Sequence, residues 1–170
     1  MVILQTERLV FSEFTYDDTA FVMDITNTNG WLKYIGDRQT RTKEGAVEYL
    51  KKGPLSSYAK TGYGLWKLTL KSSGEPIGIC GIFMRGVFDH PDIGYAIHPL
   101  HEGKGYASEA VIATKNYAVD ILGLPNLVGI TDVDNYRSIT LLEKIGMSFR
   151  KLIVLPGDSV ELKLFSLNPI

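Results

Sequence analysis

Cysteine is almost absent from the 170-residue sequence, and this scarcity excludes several kinds of site. Cys80 is the only cysteine, so the chain cannot form an internal disulfide or a cage of thiolate metal ligands. The histidines, His90, His98 and His101, lie near one another, but two of them flank a predicted strand and turn rather than lying on a helix with metal-ligand spacing. We therefore predict no structural or catalytic metal.

The sequence also lacks an excess of charge and long apolar runs. The formal net charge is −1 and the basic residues form no stripe, which argues against nucleic acid as a partner. No apolar run approaches the length of a bilayer span, and the first eight residues show no basic region followed by an apolar core. These features predict a cytoplasmic protein with no membrane partner.

No linker, internal repeat or low-complexity segment interrupts the chain, whose length suits one compact domain over residues 1–170. Alternating apolar residues predict strands, and caps followed by apolar stripes predict helices. The predicted strands lie at 8–14, 66–70, 77–84, 92–97, 127–133, 149–155 and 160–167. Helices are predicted from Thr15 through Ile25, from Thr42 to a stop at Gly53-Pro54, from Gly105 to Gly123 and, capped by Asp134 or Asn135, up to Gly146. The order indicates one mixed α/β domain.

The most informative stretch, HPLHEGKGYASEA at positions 98–110, follows the strand at 92–97. Its glycines, Gly103 and Gly105, permit a sharp turn, and a helix begins directly after them. A helix start has unpaired N–H groups and a partial positive charge, so the turn predicts a site for a phosphate or pyrophosphate. A dinucleotide fingerprint is rejected, because the third glycine and a clear acidic partner are missing.

Three motifs in order resemble the GNAT N-acetyltransferase superfamily. They are Gly-Lys-Gly-Tyr-Ala-Ser-Glu-Ala at 103–110, Asn-Tyr-Arg-Ser at 135–138 and Glu-Lys-Ile-Gly-Met at 143–147. Thr6-Glu7-Arg8-Leu9 is similar to the start of the branch that contains ribosomal-protein alanine and serine N-acetyltransferases. The likeness extends over nearly the whole chain, with the motifs in the right order.

The resemblance implies an α+β fold with a mixed, mostly antiparallel central sheet of about seven strands, flanked by helices and splayed between the fourth and fifth. Acetyl-CoA would lie in the splay. The pyrophosphate would be bound by the backbone of Gly103, Lys104, Gly105, Tyr106, Ala107 and Ser108. The pantetheine arm would pair with Ala96, Ile97 and His98 as an added strand does, and Asn135 and Ser138 would also contact the cofactor. Glu102 departs from the Gln or Arg usual in the family.

The resemblance further implies direct transfer of the acetyl group to a primary amine. Cys80 on a buried strand gives no support for an acyl-enzyme. The tyrosine that many family members use as an acid corresponds to Leu142, so Ser138 is the nearest substitute. The general base stays open between Asp92, His98 and Glu13, and a water chain could replace all three.

The acceptor is less defined than the cofactor. Trp31, Tyr34 and Tyr63 are candidates for lining its pocket, and it could be a protein N-terminal α-amine or a small-molecule amine. The alternatives are a non-catalytic acyl-CoA-binding module, favoured by Leu142, and an enzyme for a different acyl chain. The final hairpin could supply a surface for a homodimer.

Overall fold

One eight-stranded sheet organises the computed structural model, which describes residues Met1–Ile170. The spatial order is β1-β2-β3-β4-β5-β6-β8-β7, and all neighbours are antiparallel except β5 and β6. The strands are β1 (Val2–Gln5), β2 (Leu9–Ser12), β3 (Leu65–Leu70), β4 (Pro76–Phe83), β5 (Asp92–Ile97), β6 (Val128–Asp132), β7 (Ser148–Val154) and β8 (Glu161–Ser166). The mixed, mostly antiparallel sheet flanked by helices is confirmed.

The predicted number of about seven strands is too low, because it omits β1. This strand has four residues, and its two ends are exposed. It pairs only with β2, through a register that contains an irregularity. So short an edge strand carries little alternation of its own, and its pairing with β2 decides its conformation.

Six α-helices cover the sheet: α1 (Thr19–Thr26), α2 (Asn29–Tyr34), α3 (Lys43–Leu50), α4 (Ser56–Thr61), α5 (Tyr106–Asn116) and α6 (Tyr136–Lys144). The predicted capping box is present, since Thr15 and Asp18 bond each other's backbone N–H groups before α1. None of the helices is both long and apolar enough to span a bilayer.

The predicted helix stop at Gly53-Pro54 is wrong. A π-helical turn at Lys51–Leu55 contains Pro54 and joins α3 to α4, so the helix ends near Gly62 instead. A π turn widens the backbone and absorbs a residue that cannot donate a regular helical hydrogen bond. The helix after α5 likewise continues through a π turn, Tyr117–Ile121, towards Gly123.

Apolar side chains fill both faces of the sheet. Because strand residues alternate, Cys80 packs into the cluster that contains Val111 of α5 and Leu141 of α6. Its neighbour Ile79 packs into a second cluster with Val22 of α1 and Leu50 of α3. The helices therefore pack on both faces of the sheet, α5 and α6 on one face and α1 and α3 on the other. The opening in the sheet lies between these two layers.

Candidate active site

The sheet opens between β5 and β6. β5 pairs with β4 along its whole length, but it pairs with β6 only where Asp92 lies beside Val128. The predicted splay between the strands at 92–97 and 127–133 is therefore present. From Gly94 onwards the β5 edge faces an open cleft of about 1730 Å³, which Ala96 and Ile97 line. This edge can accept an extended ligand that carries amide groups.

The glycine turn lies at the mouth of this cleft. Gly103 and Gly105 have φ angles of +74° and +81°, a left-handed conformation that residues with a Cβ adopt at a cost. The N–H of Glu109 donates the first helical hydrogen bond, to the carbonyl of Gly105 at 3.1 Å. The N–H groups of Tyr106, Ala107 and Ser108 precede that bond and have no partner within α5. They can bind a phosphate.

Two residues of the segment between β1 and β2, Thr6 and Arg8, hold this loop from outside the cleft. The Glu109 carboxylate accepts hydrogen bonds from the Thr6 hydroxyl at 2.5 Å and from the Arg8 backbone N–H at 2.9 Å. The Arg8 guanidinium donates to Glu109 at 2.6 Å and to the Lys104 carbonyl at 2.8 Å, and it lies over the Tyr106 ring. Burial alone would raise the pKa of Glu109, but these hydrogen bonds lower it below its ordinary value. The Thr6–Leu9 motif therefore holds the loop in place.

His98 and Glu13 lie away from the cleft. The His98 ring accepts the N–H of Leu100 at 3.4 Å, and its Nε2 lies 3.2 Å from the Asp24 carboxylate of α1. The His98 backbone N–H donates to Ile77 at 2.8 Å, which extends the pairing of β5 with β4. Glu13 faces the chain's N-terminal amine at 3.8 Å.

Asp92, the third candidate base, is buried in the wall of the cleft at the closed end of the splay. Its carboxylate accepts a hydrogen bond from the Arg85 guanidinium. Burial raises the pKa of Asp92 to about 6, although Arg85 opposes that rise. Such a carboxyl is ionised near neutral pH and is basic enough to take a proton.

Asn135 and Ser138 line the cleft from the start of α6. The side-chain Oδ1 of Asn135 caps the helix by accepting the Ser138 N–H at 3.3 Å. The phenol of Tyr95, which comes from β5, lines the same cleft near the buried Ser138. Burial raises the pKa of Tyr95, and Ser138 offsets part of that rise. Leu142 is buried against Gly129.

The candidate acceptor residues separate into two groups. Trp31 and Tyr34 of α2 line the cleft; Trp31 is largely core and its Nε1 has no hydrogen-bond partner. Tyr63 packs against the other core cluster and does not line the cleft. The structure thus places together two of the three residues.

Three carboxylates that sequence reasoning missed lie on the same wall as α2: Asp132, Asp134 and Asp158. Burial and the neighbouring Asp134 raise the pKa of Asp132, and Lys33 lowers it. Tyr95 and Arg85 were missed as well. The sequence contains a signal for Tyr95, because strand alternation places it on the face opposite Asp92 and Ala96. It contains none for Asp158, because this turn residue reaches the cleft wall only through the pairing of β7 with β8.

A thiol nucleophile finds little support in the chain. Burial raises the pKa of the Cys80 thiol to about 12, and the thiol lies 3.2 Å from the Thr114 hydroxyl. A buried, protonated thiol is a poor nucleophile. No group of three or more His, Cys, Asp or Glu side chains is placed to hold a metal ion.

An open sheet with a helix start at the mouth of the opening suits an enzyme that binds a phosphate-bearing ligand, and comparison with known proteins shows the family. The family model described as the acetyltransferase (GNAT) domain matches residues 8–148, most of the chain. The chain therefore belongs to the GNAT acetyltransferase family, whose members use acetyl-CoA. Over 145 residues, 85% of this chain and 81% of the relative, it is 28% identical to the uncharacterized N-acetyltransferase YnaD of Bacillus subtilis.

Solved structures share the fold over nearly the full length. An acetyltransferase from Agrobacterium tumefaciens superposes with a TM-score of 0.81 at 25% identity, covering 98% of this chain and 94% of that one. A ribosomal-protein-S5-alanine acetyltransferase from Vibrio fischeri gives 0.79 at 18% identity, covering 98% and 96%. A spermidine N-acetyltransferase from Vibrio cholerae, in complex with CoA and spermine, gives 0.77 at 16% identity, covering 95% of each chain. The predicted resemblance to the ribosomal-protein branch is thus confirmed for the fold.

Proposed function

We propose that this chain transfers the acetyl group of acetyl-CoA directly to a primary amine. One observation carries the proposal: the free N–H groups of Tyr106, Ala107 and Ser108 and the open edge of β5 line the same cleft. The first can bind the pyrophosphate, and the second can pair with the pantetheine arm at Ala96 and Ile97. The thioester then lies within the splay.

Asp92 is the general base in this proposal. An amine attacks only after it loses a proton, and the acceptor must stand close to the group that removes it. Asp92 lines the cleft with a pKa of about 6, whereas neither His98 nor Glu13 lines it. An amide N–H near Ile97 would stabilise the oxyanion as the carbonyl carbon becomes tetrahedral.

Tyr95 and Ser138 act on the departing sulfur. The C–S bond breaks as the new C–N bond forms, and the thiolate takes a proton. The raised pKa of Tyr95 keeps its phenol protonated at neutral pH, so it can donate, and the Ser138 hydroxyl orients it. A phenol is therefore available although the family's usual tyrosine position holds Leu142.

The acceptor approaches as a cation. Asp132, Asp134 and Asp158 form a local cluster of three carboxylates beside Lys33 on the wall of the cleft, and such a cluster can attract an ammonium group. Both a peptide α-amine and a polyamine carry such a group. This charge favours them over an uncharged, apolar small molecule.

Release of CoA thiol with a panel of amines tests the proposal. Purified protein is mixed with acetyl-CoA and N-terminal peptides, spermidine or amino acids, and thiol appearance is followed with a chromogenic reagent. We expect turnover with at least one cationic amine. Tight CoA binding without amine-dependent turnover would instead favour a non-catalytic acyl-CoA-binding module, the alternative that Leu142 supports. Mass spectrometry of the acyl-CoA retained on purification tests for a different acyl chain.

The cytoplasmic location and the homodimer stay predictions. Light scattering at several protein concentrations checks the second. We expect the homodimer to form through the exposed side chains of Leu152 and Val154 on β7, one of the two edge strands.

A further inference from the structure

One ion pair crosses the mouth of the cleft. The Arg137 guanidinium, in the first turn of α6, donates to the Glu102 carboxylate at 3.0 Å. Glu102 follows β5 and Arg137 follows β6, so the pair joins the segments that leave the two splayed strands. Both residues line the cleft beside Gly103 and Gly105.

This pair is easily broken. The Arg137 side chain is 86% exposed and that of Glu102 is 45% exposed. Ion pairs in such positions are weak, because water screens the charges and ordering two long side chains costs entropy. A guanidinium gains more from a phosphate, which it can bind in a bidentate manner through charge-assisted hydrogen bonds.

A second cation of α6 faces the same loop. Lys144 lies two helical turns after Arg137, and its ammonium donates to the Ser108 hydroxyl at 2.8 Å. Since α6 turns once every 3.6 residues, about seven positions return to the same face. The exposed face of α6 thus presents two cations to the start of α5, where the pyrophosphate is proposed to bind.

We infer that Arg137 is a phosphate ligand of the cofactor, held beside its site by Glu102 when no cofactor is bound and transferred to a cofactor phosphate on binding. This inference rests on the proposed function, since it assumes that acetyl-CoA occupies the cleft. It also explains how a carboxylate is accommodated at position 102. Glu102 orients Arg137 in the free protein and is left to solvent once the guanidinium moves.

The test is a set of CoA affinities measured by calorimetry for the wild type, E102Q, R137Q and the double variant. If Arg137 binds a phosphate, R137Q weakens CoA binding about tenfold even in the E102Q background, because a charge-assisted contact is lost. If Arg137 only neutralises Glu102, the double variant binds CoA as tightly as E102Q alone, and the inference is overturned.

A matched control separates the contact from general charge. Arg41 also forms an exposed ion pair, with Asp37 at 2.5 Å, but it does not line the cleft. R41Q should bind CoA like the wild type. Dephospho-CoA, which lacks the 3′-phosphate, then tells which phosphate is contacted: the R137Q effect persists for a diphosphate contact and disappears for a 3′-phosphate contact. Failure of the wild type to bind CoA would overturn the proposed function itself, whereas an unaffected double variant overturns only the role of Arg137.

Discussion

The two walls of the cleft are built from different material. The cofactor wall runs from Ala96 to Ser108 and offers mostly main-chain groups from one continuous stretch. The opposite wall combines side chains from α2, the end of β6 and the β7–β8 turn, including Lys33, Asp132 and Asp158. The first wall keeps its chemistry under many substitutions, whereas single side-chain changes can redirect the second. If the proposed function holds, this difference would let one cofactor site serve different acceptors.

The two walls also differ in how many side-chain hydrogen bonds hold them in place. Arg8 and Glu109 fix the cofactor loop through hydrogen bonds to a segment about a hundred residues away. On the opposite wall, Tyr34 is exposed and bonds only to its neighbour Lys33 at 2.9 Å. We expect the cofactor wall to be preformed and the acceptor wall to adapt.

The largest expected effect tests whether the general base lies at the closed end of the splay, between the two walls. Asp92→Asn should lower kcat/KM about a hundredfold or more, because the general base is lost while the shape is kept. In the wild type, kcat/KM should rise with pH and level off above about 6, as the raised pKa of Asp92 requires deprotonation before it can act. Steady-state rates across pH measure both.

The control for this variant is Asp89→Asn, an exposed carboxyl outside the cleft. It should retain wild-type rates, and Asp92→Asn should retain CoA affinity. Full activity of Asp92→Asn with an unchanged pH profile would remove Asp92 from the mechanism.

The second-largest expected effect tests whether β5 supplies a side-chain proton donor in addition to backbone groups that bind the cofactor. Tyr95→Phe should lower kcat about tenfold to a hundredfold and leave the KM for acetyl-CoA unchanged, since only the proton donor is removed. Tyr136→Phe, an exposed tyrosine at the start of α6, is the matched control and should have no effect. Equal rates for the two variants would contradict the role given to Tyr95.

A pair of glycine variants tests whether the cofactor wall works through its backbone. Gly103 and Gly74 have φ angles of +74° and +73°, and a Cβ at either would meet no atom within 4 Å. Each Gly→Ala change should cost about 1–2 kcal/mol of unfolding free energy, because both force a Cβ into the left-handed region. Calorimetry should show that only Gly103→Ala also weakens CoA binding, by about tenfold, because only that turn aims N–H groups at the ligand. Equal CoA affinity in both variants would mean that the turn does not bind the cofactor.

The smallest effect concerns the acceptor wall. Asp158→Asn should raise the KM for a cationic amine about threefold and leave the KM for acetyl-CoA unchanged, because a partly solvated charge contributes little. The increase should shrink at high salt. Asp120→Asn, on the exposed π turn after α5, should change neither constant. If only the KM for acetyl-CoA changed, Asp158 would act on the cofactor rather than on the acceptor, and this prediction would be contradicted.

Local signals predicted the features that depend on neighbouring residues. The capping box at Thr15 and Asp18, the glycine turn and the caps at Thr42 and Asn135 are present because each uses hydrogen bonds or φ angles within a few positions. Pro54 was misjudged for the same reason. The local rule stops a helix at proline, but packing of α3 and α4 against the sheet keeps the helix going through a wider turn.

The amino-acid sequence by itself therefore determined the glycine turn and the family of this protein, because both reside in one contiguous turn and its flanking motifs. Only the tertiary structure decided which base candidate lines the cleft, that Tyr95 meets Ser138, and that Arg137 reaches Glu102. The two pairs join residues 35 and 43 positions apart, brought together by the parallel course of β5 and β6. Spacing along the chain carries no information about such distances, since strand pairing sets them.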